Sequence, residues 1–115
     1  MIRIINRDEL QDMIKIPDSN VKIVDVLPED RFQQEHIKGA ISLPVGKIDK
    51  YAGQRLNQDD HIIVYCANRQ CQASPKAAQM LAAKGFKNIY DYEDGLADWK
   101  AAGLPVEGRT VPVSQ

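Results

Sequence analysis

Residues 61–85 read HIIVYCANRQCQASPKAAQMLAAKG. Ile62-Ile63-Val64-Tyr65 is a short β-branched and aromatic run between polar neighbours, the pattern of a buried strand. At Cys66 the chain turns into a polar segment, Ala67–Ala73. Ser74 is suited to cap a helix, and Pro75 to its first position, where a missing N–H costs nothing. Ala77, Ala78, Met80, Leu81 and Ala82 are strong helix formers, and Gly85 supplies the stop. The stretch therefore predicts a strand, a tight loop and a helix running to Lys84. Cys66 stands at the strand's end, facing the helix N-terminus.

That placement suggests chemistry. The loop lies near the positive end of the helix dipole, among amides with no helical partner. An anion is favoured there. A free thiol titrates near ~8.5, and helix N-termini or nearby cations lower it to roughly 3.5–7.5. Arg69 adds a cation within the loop. The expectation is a nucleophilic thiolate at Cys66 beside a pocket for an anionic substrate. The plainer alternative is that Cys66 is a buried small hydrophobe closing a strand.

The whole chain sets the bounds. Its 115 residues suit one small domain with its own core, here taken as residues 1–107 with a tail at 108–115. A net charge of −1 gives no reason to expect nucleic acid or an acidic membrane as partner. Two cysteines do not make a disulfide scaffold. MIRIINRDEL has no continuous apolar segment of the secretory kind, and nothing approaches about 18 consecutive apolar residues. A reducing cytoplasm is the expected compartment.

Outward from the central stretch, strands and helices alternate. Ile2–Ile5 is a strand candidate, and Asn6 can cap a helix over Arg7–Ile14. Pro17–Asn20 is a loop and Lys22–Val26 a second buried strand ending near Asp25. Pro28 opens a short helix to Gln34, His36–Ala40 is a turn, and Ile41–Leu43 is a third strand. Val45–Ala52 suits a short helix and Asn57–Asp60 a turn. Beyond Gly85, Asn88–Tyr90 is a strand and Asp91–Asp94 a polar loop. Gly95 precedes a helix to Ala102, and Val106–Gln115 is an extended tail. Such alternation implies an α/β fold: a mostly parallel sheet of about five strands with helices on both faces. Sites in such folds lie beyond the carboxyl ends of the strands, where Cys66 is expected.

The chain resembles a single-domain rhodanese from Lys22 to Glu107. Asp25-Val26 and His36-Ile37-Lys38-Gly39-Ala40 resemble the family's Asp-Val-Arg and Gly-His-Ile-Pro-Gly-Ala segments. IIVYC resembles its strand ending in the active cysteine. Gly85, Asn88, Tyr90, Gly95, Trp99, Gly103, Leu104 and Pro105 match its closing segment. The chain departs from the family at Leu27 (often arginine), Glu35 (glycine) and Asp94 (glycine). Its loop is also longer, with Ser74 later than usual and Cys71 in a Cys-x4-Cys arrangement.

The resemblance implies a sulfurtransferase with no metal or organic cofactor. Cys66 would take the outer sulfur of a small anionic donor such as thiosulfate as a persulfide, then yield it to cyanide or a thiol. Ala67, Asn68, Arg69, Gln70, Cys71, Gln72, Ala73 and Ser74 would form the substrate-binding loop, whose amides hold the anion. Arg69 would attract the donor, with Lys76 as a second candidate. Cys71 is either a resolving thiol or a packing residue. Asp25 supports the loop or is a satisfied structural carboxylate. His36 reads as a structural turn histidine more than a general base, and Trp99 as a core anchor. His61 begins the central strand at the far end from the site. Tyr92 and Asp94 could rim the pocket.

Two other readings compete. A sulfur carrier or protein-docking module would have a sulfur-accepting protein as partner. A cysteine phosphatase or arsenate reductase needs a Cys-x5-Arg loop, and Gln72 stands where that arginine would be.

Overall fold

The computed structural model describes residues 2–16 and 20–110. In chain order its elements are β1 (Ile2–Ile4), α1 (Arg7–Lys15), β2 (Val21–Asp25), α2 (Glu29–Gln34), β3 (His36–Ile37) and β4 (Ile41–Ser42). A 3-10 turn (Val45–Lys47) leads into α3 (Ile48–Arg55), followed by β5 (His61–Tyr65), α4 (Ala73–Ala83), β6 (Asn88–Tyr92), α5 (Gly95–Ala101) and β7 (Val106–Glu107). The main sheet has five strands in the order β1-β6-β5-β2-β4, and every pairing in it is parallel. No helix among the described residues is long and apolar enough to cross a membrane.

The two faces of β5 build the two halves of the core, because side chains alternate along a strand. Ile62, Val64 and Cys66 join Ile48, Ala52, Ala77, Ala78 and Leu81 under α3 and α4. Ile63 and Tyr65 join Leu10, Leu96 and Trp99 under α1 and α5. Helices thus cover both faces, which is why β5 reads as a continuous apolar run.

Local signals explain most boundaries. Asn6 caps α1 in a reciprocal box: its side chain accepts from the Glu9 amide, and the Glu9 carboxylate accepts from the Asn6 amide, both at 2.9 Å. After α4, Gly85 takes a φ of +93°, a left-handed value that ends the helix.

Several elements differ from the sequence expectation. His36–Ile37 is not a simple turn but a strand, paired antiparallel with Val106–Glu107 of the expected tail. Ile37 is fully buried, so its backbone needs partners, and the returning chain supplies them. Strand β6 continues through Asp91 and Tyr92, which pair with Val64 and Tyr65, so the expected polar loop shrinks to a turn. The expected Val45–Ala52 helix divides into the 3-10 turn and α3. Pro17, Asp18 and Ser19 of the expected loop, and residues 111–115 of the expected tail, lie outside the described residues.

Candidate active site

Cys66 follows β5 at the carboxyl edge of the sheet, and the loop from Ala67 to Gln72 carries the chain into α4. The start of α5 braces this loop. The Leu96 amide donates to the Cys66 carbonyl and the Ala97 amide to the Ala67 carbonyl, both at 2.9 Å. These amides open a helix and would otherwise lack partners.

The entry to α4 differs from expectation. Gln72, not Ser74, precedes the first helical residue, and its side chain makes no capping bond. Ser74 is the second residue of the helix and is buried. Pro75 falls two positions deeper, as the third residue of the helix, still in the first turn where no N–H is required. The Ser74 hydroxyl is thereby released from capping and turns inward, where it reaches both the Cys66 thiol and the Asp91 carboxyl.

The state of Cys66 also differs. The residue is 0% exposed, and its thiol donates to the Cys71 carbonyl at 3.6 Å. Burial pushes the thiol up to about 11, and the bond to Cys71 adds to the rise. The Ser74 hydroxyl and amide act the other way, favouring the thiolate. The expected acidic thiol is therefore not the resting state. The helix N-terminus does favour an anion at this sulfur, but desolvation by burial outweighs it.

Cys71 is half-buried. Burial raises its thiol, but the Cys66 thiol, the Ala73 and Ala67 amides and the Arg31 charge together bring it below the ordinary value. Its sulfur thus receives loop amides that had been expected to serve a substrate anion. The Gln70 and Cys71 amides are occupied as well, donating to the Asn68 side-chain oxygen at 3.0 and 3.1 Å.

Arg69 is exposed, and its guanidinium pairs with Asp94 at 3.0 Å. Gln70, Gln72 and Lys76 are also exposed. Asp25 is fully buried, with its oxygens taken by the Leu27 amide at 2.9 Å and the Tyr65 hydroxyl at 2.8 Å. Tyr65 in turn accepts from the Ile37 amide at 3.0 Å, tying the end of β5 to β3. His36 stacks on Phe32 and bonds its carbonyl at 2.7 Å, a structural role. Trp99 is buried against Tyr92 and donates to the Pro105 carbonyl at 2.8 Å. The Tyr92 hydroxyl donates to Asp98 at 2.6 Å. His61 bonds Tyr90 at the opposite end of the sheet, beside a cleft of about 490 Å³.

The structure thus gathers Cys66, Cys71, Ser74 and the Ala67 and Ala73 amides, and leaves Gln70 and Gln72 outside. Sequence reasoning missed Asp91 and Arg31. Asp91 was legible through alternation: extending β6 puts Asp91 on the same buried face as Ile89. Arg31 had no local signal, since its approach to the loop depends on how α2 packs.

A parallel sheet with a cysteine loop at its carboxyl edge, entering a helix, defines a class of α/β domains with a cysteine-centred site. The family model of the rhodanese-like domain matches residues 6–102. The chain is 31% identical over 101 residues to the thiosulfate sulfurtransferase GlpE of Coxiella burnetii, covering 88% of this chain and 90% of that one. It is 35% identical over 88 residues to the HTH-type transcriptional regulator Rv0324 of Mycobacterium tuberculosis, covering 76% of this chain and 38% of the regulator. A Bacillus subtilis protein named as a candidate sulfur carrier, YrkF, is 30% identical over 71% of this chain and 43% of its own length. The chain therefore spans less than half of these last two relatives. Among solved structures, the BH2092 protein of Bacillus halodurans superposes with a TM-score of 0.85 at 30% identity, covering 94% of this chain and 78% of that one. The chain belongs to the rhodanese-like family.

Proposed function

We propose that the protein transfers sulfane sulfur through a persulfide on Cys66. The observation that carries this reading is the convergence of the Ser74 amide and hydroxyl on the Cys66 sulfur at the mouth of α4. In the first step the Cys66 thiolate attacks the outer sulfur of a thiosulfate-like donor. A Cys66 Sγ–S bond forms, the donor's S–S bond breaks, and sulfite leaves with the electron pair. In the second step cyanide or a thiol attacks the outer persulfide sulfur, and the thiolate returns. Entry of the donor requires Cys71 to yield its place over Cys66. No metal or organic cofactor takes part, and a cytoplasm-like reducing compartment keeps both thiols available.

The module reading has its own support. The chain matches only parts of the mycobacterial regulator and the Bacillus protein, so the same fold also serves inside longer proteins. In that reading a protein partner accepts the sulfur from Cys66.

Intact-mass analysis of the reduced protein before and after thiosulfate tests the proposal, with each cysteine replaced in turn. The expected result is a gain of one sulfur atom that Cys66→Ser abolishes, with thiocyanate formed when cyanide follows. No gain with any of several sulfane donors would defeat it. Partner binding that persists in Cys66→Ser, with no sulfur chemistry in the wild type, would establish a docking module instead.

A further inference from the structure

The buried acids of this fold are not alike. Asp25 accepts from the Leu27 amide and the Tyr65 hydroxyl. Asp60 accepts from the Asn57 amide at 2.8 Å and meets the Lys22 ammonium at 3.4 Å. Each secures a turn. Asp91 is equally buried, at 2% exposure, yet its Oδ1 has no hydrogen-bond partner. A buried carboxylate oxygen without a donor is costly, and nothing in the local fold requires this one.

Its position suggests another use. Asp91 lies opposite Val64 in the β5–β6 ladder, and Cys66 follows just beyond Tyr65. The side chain shares the α4-facing side of the sheet with Ile89 and Cys66. Between Asp91 and Cys66 stands the Ser74 hydroxyl, 1% exposed and in reach of both.

We propose that Asp91 is the proton acceptor that ionises Cys66, with the Ser74 hydroxyl as the bridge. The thiol turns from the Cys71 carbonyl that accepts from it at rest, and its proton passes from Cys66 Sγ to Ser74 Oγ as the Ser74 proton passes to the Asp91 carboxylate. One S–H bond is lost, one O–H bond is gained, and Ser74 ends as it began. The trio carries a single negative charge throughout, so no second charge is buried. Asp91 touches no substrate atom; it acts through Ser74 and is a positioning residue.

The surroundings agree with a shared charge. Burial disfavours the ionised form of both Asp91 and Cys66, so one buried charge across the trio costs less than two. Glu93 adds like charge to Asp91 from the same stretch of chain, and Cys71 faces Cys66 from the loop, its carbonyl accepting from the thiol. The neighbouring strands set Ile4 and Val64 beside Asp91, and α4 contributes Ser74.

The inference rests on Cys66 being the nucleophile of the proposed transfer, but its test reads ionisation rather than sulfur. The full chain, Asp91→Asn and Ser74→Ala are alkylated with iodoacetamide across the acid to alkaline range, and modification of Cys66 is followed by peptide mass mapping. In the wild type the rate should rise in the acid range, with Asp91, and stay level through neutrality. Both variants should lose about 10²-fold at neutral pH, and their rates should climb in step with hydroxide. Asp91→Asn reacting as fast as the wild type or faster would overturn the relay, since a carboxylate that merely repels the thiolate gives that result. Should Asp91→Asn fail to fold, Ser74→Ala retains the carboxylate and gives the same reading. A moved profile without any thiosulfate loading keeps the relay and defeats sulfur transfer; normal loading with an unmoved profile does the reverse.

Discussion

Gly95 lies so close to Cys66 that a Cβ on the glycine would stand 2.4 Å from the Cys66 carbonyl oxygen. The same atom would sit 3.0 Å from the Ala67 carbonyl carbon and from the Asn68 amide nitrogen. Gly95 also holds a φ of +69°, in the left-handed region that other residues enter at a cost. Both conditions follow from docking the first turn of α5 on the cysteine loop.

Gly95→Ala should therefore act on the loop as well as on stability. Left-handed strain and the backbone collision together should cost about 1–3 kcal/mol, read as a lower urea midpoint. Cys66 should become more accessible to alkylation, because the carbonyls of Cys66 and Ala67 lose their amide partners on α5. A variant with unchanged midpoint and unchanged alkylation would mean that the loop does not depend on this contact.

Asp91 links stability to pH. Burial holds its carboxyl above the ordinary 3.8, with the like charge of Glu93 adding to the rise and Ser74 opposing it. The native state thus binds this proton more tightly than the unfolded chain does. Stability falls as pH rises from the unfolded value through the folded one, and the loss persists above. Asp91→Asn should accordingly raise the urea midpoint at neutral pH, with the advantage vanishing near pH about 3. A variant less stable than the wild type at neutral pH would contradict the assignment. A residue that costs stability and supports reactivity is expected at a working site.

The cations near the loop are not equivalent. Arg69 spends its charge on Asp94, whereas Arg31 on α2 acts on both Cys71 and Asp25. Arg31→Met should raise the KM for thiosulfate about 5-fold, the equivalent of ~1 kcal/mol, and make it less sensitive to salt. Arg69→Met should change it less. Kinetics at two ionic strengths decide the matter, and the reverse order would return the donor-attracting role to Arg69.

The sheet was legible because burial on both faces leaves a plain mark, as in Ile62–Tyr65 and Lys22–Val26. The helix after the loop was legible from its alanines and Gly85. What escaped depends on contacts between distant segments. β3 and β7 are strands through pairing with each other, not through their own composition. Ser74 and Pro75 fit the first turn of a helix in either register, and packing over Cys66 chose the one that turns Ser74 inward. The position of Cys66 was readable, but not the protonation of its thiol, because the helix dipole is local and desolvation depends on how distant segments pack around the sulfur. Tyr65 looked like a core aromatic, and only the fold shows its hydroxyl joining Asp25 to the Ile37 amide.

Cys71 sits against the sulfur that the proposed reaction would load, and the two thiols influence each other directly. Once Cys66 carries a persulfide, a Cys71 thiolate can attack the inner sulfur. A Cys66–Cys71 disulfide then forms, hydrosulfide leaves with the electron pair, and the sulfane sulfur is reduced as the thiols are oxidised. Protein loaded with thiosulfate and then freed of donor should lose its added sulfur and gain a disulfide, while hydrosulfide appears in solution. Cys71→Ser should keep the added sulfur far longer under the same conditions. Intact mass with and without a reductant follows both species. Equal persulfide lifetimes in the wild type and Cys71→Ser would show that Cys71 covers Cys66 without resolving it, since a resolving thiol cannot be removed without lengthening the life of what it attacks.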